Sequence, residues 1–151
     1  MNLSPNKKGP AAGHTARMAG PSTGTKNNPR MGVGIDVERV ARFRGITRDE
    51  RRFLESTFSK QEMAYCKGKA DPPVHFAGIF AAKEAALKAV GSLREGKFNL
   101  VRFEVLHDAK GAPVLRYSGA NAGLLEGVSV EISISHTFEN AVAVALGTSS
   151  R

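Results

Sequence analysis

One stretch decides the fold of this chain of 151 residues: Phe80–Gly91, with the sequence FAAKEAALKAVG. Alanine and leucine are strong helix formers and Gly91 is a typical residue to end a helix, so the stretch predicts a helix that can pack closely on a sheet. Glu84 and Lys88 are four residues apart and lie on one face of that helix, with Lys83 beside them. Taken alone, Glu84 and Lys88 are most simply explained as an ion pair on the surface.

A second informative segment lies upstream at Met31–Asp36, with the sequence MGVGID. Val33 and Ile35 alternate with glycines, which indicates a short strand that another backbone or a ligand can approach closely. A helix is predicted from Val37 to Phe43, with Asp36 as its N-cap. The segment therefore places a carboxylate at the junction of a strand and a helix.

The rest of the pattern predicts further helices and strands. Capping boxes at Thr47–Glu50 and Ser59–Glu62 open short helices, and the central helix is predicted from Pro73 or Val74 to Val90. The other predicted elements are strands at 100–106, 113–117, 128–135 and 141–146, and a short helix at 118–126. This order predicts an α+β domain with a mostly antiparallel sheet and one long packed helix.

The composition suits one compact domain preceded by a basic tail. Hydrophobic residues make up 41% of the chain, which is enough for a core, and the net charge is +8. Residues 1–30 contain basic but no acidic residues and show no apolar periodicity. We predict a disordered tail at 1–30, a domain at 31–147 and a C-terminal tail at 148–151. A transit segment and an upstream extension before Met31 are alternatives for the first tail.

The sequence gives no sign of a membrane or of an oxidising compartment. Cys66 is the only cysteine and cannot form an internal disulfide. No apolar run approaches the length that is needed to cross a bilayer. We therefore expect a cytoplasmic protein that does not associate with a membrane.

The charged residues of the two segments suit phosphoryl chemistry. Asp36, Glu38 and Glu84 offer carboxylate oxygens, which are the ligands that Mg²⁺ prefers, and such sites leave room for water and phosphates. Lys83 and Lys88 would hold phosphate groups that the metal does not reach. A helix cap for Asp36 and a solvated surface position for Glu38 are structural alternatives.

Both segments resemble the signature motifs of one enzyme family. Val33–Glu38 and Phe80–Ala89 resemble the two motifs of the 4′-phosphopantetheinyl transferases, and their separation resembles that of the short, holo-acyl-carrier-protein synthase type. Ile132–Thr137 and the turn Gly111–Pro113 are also similar to that type. The resemblance covers residues 31 to about 147 and implies the fold of this family.

The chain departs from the short bacterial type at cofactor contacts. Ile79 stands where an arginine is usual, Ala112 where a lysine is usual, and Gly91–Leu93 replaces a Gly-Thr-Gly sequence. In these places the chain is similar to the transferase domain of fungal-type fatty acid synthases. A coenzyme A-binding homologue without activity is therefore one alternative function. A small basic nucleic-acid-binding domain is the other, based on the pI near 10.0.

The resemblance implies a transfer of 4′-phosphopantetheine from coenzyme A to a serine of an apo acyl carrier protein, with release of adenosine 3′,5′-bisphosphate. Asp36 and Glu84 would hold Mg²⁺ against the pyrophosphate, with Glu38 as a third ligand. Glu84, or a water that it orients on the metal, would take the serine proton. Lys88 would stabilise the pyrophosphate as the third catalytic residue. The residues implied for cofactor binding are Lys83, Lys88 and His136, the last also explained as a turn residue that bonds the backbone.

The resemblance also implies two kinds of protein contact. Carrier proteins are usually acidic, so Arg39, Arg42 and Arg44 on an exposed helix would dock one and speed the encounter. An ordinary solvated face explains these arginines equally well. Members of the short type form trimers with the cofactor between neighbours, and Val128–Ser135 would be a suitable interface for a homotrimer.

Overall fold

The structure, a computed structural model, describes residues 29–45, 51–119 and 122–150. Its helices and strands are β1 (Arg30–Arg39), α1 (Ala41–Arg44), α2 (Arg51–Thr57), α3 (Lys60–Lys67), α4 (Pro72–Gly91), β2 (Phe103–His107), β3 (Pro113–Tyr117), β4 (Val128–His136) and β5 (Asn140–Ser149). One antiparallel sheet has the order β1-β5-β4, and β2 pairs with β3 in a separate antiparallel hairpin. The predicted α+β class with a long packed helix is confirmed.

The long helix α4 forms the centre of the core. It begins with Pro72 and Pro73, which suit a first turn because its N–H groups have no partner within the helix. Its alanines are fully buried, and it packs against β1, β4, β5 and β2. The helix ends at Gly91, within a residue or two of the predicted bounds at each end. No helix in the described ranges is long and apolar enough to cross a membrane.

Two glycines of β1 determine how closely this strand approaches α4. A Cβ at Gly34 would lie 1.9 Å from the Ala85 carbonyl oxygen, and one at Gly32 would lie 2.2 Å from the Ala89 oxygen. Only glycine lets the strand backbone lie directly on the helix at these positions. Asp36 follows Gly34 by two residues and shares its face of the strand, so the close contact brings the Asp36 carboxylate to the helix surface.

We expect the substitution Gly34→Ala to push β1 away from α4. Overpacking of a tight contact usually lowers the free energy of unfolding by about 1–3 kcal/mol, and a backbone oxygen cannot rotate away from the added methyl group. Denaturant unfolding measures the loss. Gly91→Ala, at the end of α4, is the control, because a Cβ there would have no neighbour within 4 Å among the described residues. Equal stabilities of the two variants would contradict the close-packing argument.

The helix predicted at residues 37–43 is wrong for most of its length. Strand β1 continues to Arg39, and Val37 pairs with Val142 of β5. The β-branched residues at every second position have the period of a strand, and pairing along the whole of β5 stabilises that conformation. Asp36 therefore lies inside a strand and is not a helix cap.

The predicted elements around the hairpin also need correction. The strand predicted at 100–106 begins at Phe103, because a 3₁₀ turn precedes it, with the Asn99 side chain accepting from the Val101 N–H at 3.1 Å. The helix predicted at 118–126 is reduced, in the described residues, to the 3₁₀ turn Ala122–Leu125. Gly119, with φ of 114°, has a backbone conformation that does not continue into a right-handed helix.

Predictions at the chain ends and at one loop have different outcomes. The tail predicted at 1–30 and the capping box at 47–50 lie outside the described residues, except for Pro29 and Arg30. The tail predicted at 148–151 is wrong at its start, because β5 continues to Ser149, which pairs with Arg30. The capping box at Ser59 is confirmed, with Glu62 as the reciprocal partner.

Candidate active site

An ion pair joins the predicted functional residues of β1 and α4. Lys88 Nζ donates to Asp36 Oδ1 and to the Ile35 carbonyl oxygen, at 2.9 Å in each case. The two side chains are mostly buried, with 14% of Asp36 and 22% of Lys88 exposed. The fold thus brings together residues that are 52 positions apart in the sequence.

The other carboxylate oxygen of Asp36 lacks a partner. Asp36 Oδ2 is buried and accepts no hydrogen bond from the residues that the structure describes. An unsatisfied buried polar atom costs about 1–3 kcal/mol, and more when it is charged, so native structures usually supply a partner such as water or an ion. A carboxylate oxygen in this state fits a hard cation such as Mg²⁺.

Glu84 lies one turn before Lys88 on α4 and is half-buried. Burial raises the pKa of its carboxyl group, the negative charge of Asp36 raises it further, and Lys88 acts in the opposite direction. The charges of Asp36 and Glu84 are therefore close enough to repel each other. A divalent cation between them would relieve this repulsion. The two carboxylates therefore fit the Mg²⁺ ion that the sequence predicted.

Glu38, the predicted third metal ligand, is held by an arginine instead. Arg42 Nη1 donates to both carboxylate oxygens of Glu38, at 3.0 and 3.1 Å. Burial raises the pKa of Glu38, and Arg42 lowers it. In the parts of the chain that the structure describes, no group of three or more acidic, histidine or cysteine side chains is arranged to hold a metal ion. The three-carboxylate set is thus not assembled, and the ligand set that fits is Asp36 and Glu84.

Lys83, predicted to bind the cofactor, has a fully buried side chain. Its Nζ donates to Glu62 Oε2 at 2.6 Å. Glu62 also accepts from the backbone N–H groups of Ser59, at 2.7 Å, and Val105, at 2.8 Å. Burial lowers the pKa of Lys83, and its partner Glu62 raises it. This burial argues against a cofactor contact, because Lys83 instead ties α4 to α3 and β2.

His136 ends β4 and lines a cavity of about 210 Å³ with three other ring side chains. The rings of Tyr65 and His107 are stacked, with centroids 3.9 Å apart. His75 meets His136 edge to face, with centroids 5.9 Å apart. Burial lowers the pKa of His75 and of His107, and the charge of Lys69 lowers both further. The cavity therefore offers several ring side chains to a ligand. Sequence reasoning had found only His136, because the other rings come from α3, α4 and β2.

The three predicted docking arginines differ in their contacts. Arg42 is held by Glu38 as described above. Arg44 donates to both oxygens of Asp71, at 3.1 and 2.9 Å. Arg39, at the end of β1, is exposed and forms no ion pair within the described residues. The basic surface is thus smaller than the sequence suggested.

Three kinds of comparison with known proteins agree. A family model that is described as the 4′-phosphopantetheinyl transferase superfamily matches residues 32–145 of this chain. A holo-[acyl-carrier-protein] synthase of Chlorobium limicola is 39% identical over 117 residues, covering 77% of this chain and 92% of that protein. The fatty acid synthase subunit alpha of Candida parapsilosis is 40% identical over 124 residues, covering 80% of this chain and 6% of the subunit. The Chronobacterium ammoniagenes ACPS–CoA complex is similar in structure, with a TM-score of 0.70 at 30% identity, covering 81% of this chain and 99% of that one.

The matched range contains β1 from Gly32 onward, α4, the stacked rings and His136, so it includes every residue of the candidate site. The relative from Chlorobium is matched over almost its whole length. The chain belongs to the 4′-phosphopantetheinyl transferase superfamily.

Proposed function

We propose that this chain is a Mg²⁺-dependent holo-acyl-carrier-protein synthase. It transfers 4′-phosphopantetheine from coenzyme A to a serine of an apo acyl carrier protein and releases adenosine 3′,5′-bisphosphate. The observation that supports the proposal is that Asp36, Glu84 and Lys88 lie close together. One buried oxygen of Asp36 also lacks a hydrogen-bond partner among the described residues. The relatives that are named as synthases support the same reaction.

Asp36 and Glu84 would hold the Mg²⁺ ion, which would neutralise negative charge on the pyrophosphate when bound. The Lys88 ammonium group, beside Asp36, adds a positive charge at the same place. The Glu84 carboxylate lies one turn before Lys88 on α4 and suits the role of general base. Glu84 accepts the proton of the carrier serine, whose oxygen attacks the β-phosphorus of coenzyme A. The bond from that phosphorus to the bridging oxygen breaks, and its electrons leave with adenosine 3′,5′-bisphosphate.

Coenzyme A would extend from these carboxylates to the cavity that His136 lines. The ring faces of Tyr65 and the histidines would stack on a planar group of the cofactor. Ile79 lines the same cavity and is almost fully buried, where an arginine is usual in the short bacterial type. This substitution favours the second candidate function, which is coenzyme A binding without transfer. The presence of Asp36, Glu84 and Lys88 argues against it.

Mass spectrometry of the carrier tests the proposal directly. The chain is incubated with Mg²⁺, coenzyme A and a bacterial apo acyl carrier protein, and the intact mass of the carrier is measured. We expect a gain of one phosphopantetheine, which is lost when the metal is chelated. Binding of coenzyme A without any gain in carrier mass would favour the second candidate and overturn the first.

We further propose that copies of the chain cover an apolar sheet face and form the predicted homotrimer. The face carries Val33, Ile35 and Val37 of β1, with Val37 61% exposed, and Val144 and Leu146 of β5. An apolar patch of this kind is unusual on a monomer. The predicted interface strand β4 contributes mostly serines to this face, so the contact would centre on β1 and β5.

Sedimentation tests this assembly. We expect trimers for the unmodified chain and smaller species for Leu146→Glu, because a charge would be buried in the contact. A monomeric unmodified chain would contradict the proposal. Cytoplasmic location is a further part of the proposed function, and the buried free thiol of Cys66 is compatible with it.

A further inference from the structure

A phenylalanine stands unusually exposed on the turn between β4 and β5. The Phe138 side chain is 75% exposed, although its turn is firmly built. Thr137 N–H donates to the Asn140 carbonyl oxygen at 2.7 Å, and Thr137 Oγ1 accepts from the Asn140 N–H at 3.1 Å. The Val40 N–H donates to the Glu139 carbonyl oxygen at 2.8 Å, which ties the turn to the end of β1. The backbone therefore holds this large apolar ring in water at a fixed position.

The Phe138 ring is also supported from one side. The Arg44 guanidinium carbon lies 4.6 Å from the centroid of the ring. Arg44 is itself fixed by its two hydrogen bonds to Asp71. A ring that is held in this way loses little further conformational freedom when a partner covers it, and this favours binding.

A depression of about 530 Å³ adjoins the ring, and Arg39, Arg44 and Glu139 line it together with Phe138. Arg44 is neutralised by Asp71, so the charge that remains available on the basic side is that of Arg39. Arg39 follows Asp36 by three residues along β1, which corresponds to about 10 Å at the rise of a strand. Because side chains alternate along a strand, Arg39 lies on the face of β1 opposite Asp36, so the depression adjoins the candidate active site across this edge strand.

We propose that Phe138 and Arg39 form the docking surface for the carrier protein, with Phe138 as its apolar anchor. The partner that fits is an acidic protein that presents an apolar side chain next to its carboxylates, because an aromatic ring and a free arginine stand together here. Aromatic and arginine side chains often dominate the binding energy of interfaces. This inference rests on the proposed function, and it replaces the predicted row of three arginines with one arginine and one aromatic ring.

Binding to a carrier that cannot be modified tests the surface separately from the chemistry. The probe is a bacterial apo acyl carrier protein whose acceptor serine is replaced by alanine, titrated calorimetrically. We expect Phe138→Ala to weaken binding about tenfold, as for an interface anchor, and Phe138→Tyr to bind as the unmodified chain does. Leu124→Ala, which shortens another exposed apolar side chain, is the control and should have no effect.

Charge substitutions at the same surface give an independent readout. Arg39→Ala should weaken binding, and Glu139→Gln should tighten it, because the partner is acidic; both effects should shrink at high salt. In the transfer assay, Phe138→Ala should raise the KM for the carrier and leave the KM for coenzyme A unchanged. An unchanged affinity of folded Phe138→Ala, or an equal loss in Leu124→Ala, overturns the inference.

The two proposals fail in different ways. If the unmodified chain transfers phosphopantetheine and Phe138→Ala does so with the same KM for the carrier, the docking surface is wrong and the enzyme stands. If the chain binds the carrier through Phe138 but never modifies it, the docking surface stands and the enzyme is wrong. If the unmodified chain neither binds nor modifies the carrier, both are wrong.

Discussion

Asp36→Ala and Glu84→Ala are each expected to lower kcat for phosphopantetheine transfer by at least about 100-fold, the loss that is typical when one preorganised electrostatic group is removed. Each substitution would remove one of the two proposed ligands of the metal ion, and Glu84→Ala would also remove the proposed general base. The intact mass of the carrier over time measures the rate. Asp36→Asn and Glu84→Gln, which keep the shape of the side chains, should be nearly as inactive.

The stability of the Glu84 variant separates a functional residue from a structural one. Because burial and Asp36 raise the folded-state pKa of Glu84, the stability that this group contributes is present at low pH and is lost as the pH rises through the raised value. Removing the charge by Glu84→Gln should therefore leave the metal-free protein equally or more stable at neutral pH. A matched control is Glu95→Gln, an exposed residue in the segment after α4, which should change neither activity nor stability. An active Glu84→Ala protein would be incompatible with the assigned site.

Lys83→Met is expected to have the largest effect on stability. The change leaves Glu62 buried without its cationic partner, and breaking a buried ion pair in this way typically lowers the free energy of unfolding by about 3–5 kcal/mol. Denaturant unfolding measures the loss. Combining Lys83→Met with Glu62→Gln should recover part of it, because the neutral amide removes the unpaired buried charge. Its single oxygen can still accept from one of the backbone N–H groups of Ser59 and Val105, which bond different oxygens of Glu62.

The same variants decide between the structural role of Lys83 and the cofactor contact that the sequence predicted. For a structural role, the double variant should bind coenzyme A with nearly the same affinity as the unmodified chain, as measured by calorimetry. A double variant that is stable but loses affinity for coenzyme A would restore the predicted contact. Lys88→Met serves as the comparison. Lys88 lies beside the Asp36 carboxylate, so we expect this substitution to weaken binding of the pyrophosphate.

The sequence predicted the helix and its neighbour strand because their composition is unusual. The alanines of α4 indicated a helix in close contact with a sheet, and Gly32 and Gly34 indicated a strand that a backbone could approach. Their contacts with Ala85 and Ala89 confirm both interpretations.

The environment of Asp36 could not be predicted in the same way. The segment after it contains the helix formers Glu38 and Arg39 beside its β-branched residues, and the pairing with β5, about a hundred residues later, decides in favour of a strand.

The different environments of the two lysines of α4 also could not be predicted from the local sequence. Lys83 and Lys88 belong to the same motif, yet one is buried and the other reaches Asp36. The difference comes from Glu62, which lies 21 residues upstream of Lys83 and was recognised only as part of a capping box. The rings of the cavity at His136 were missed for a similar reason, because no short spacing connects them. Phe138 gave no periodic signal, and its exposure became visible only in the fold.

The central claim is that Asp36 and Glu84 share one divalent ion at the pyrophosphate of coenzyme A. A crystal structure of the chain grown with coenzyme A and Mg²⁺ tests it most directly. We expect a single ion that is bound by oxygens of both carboxylates and of the pyrophosphate, with Lys88 beside them. Coenzyme A bound with its pyrophosphate remote from these two residues, or an ion that contacts neither carboxylate, would contradict it.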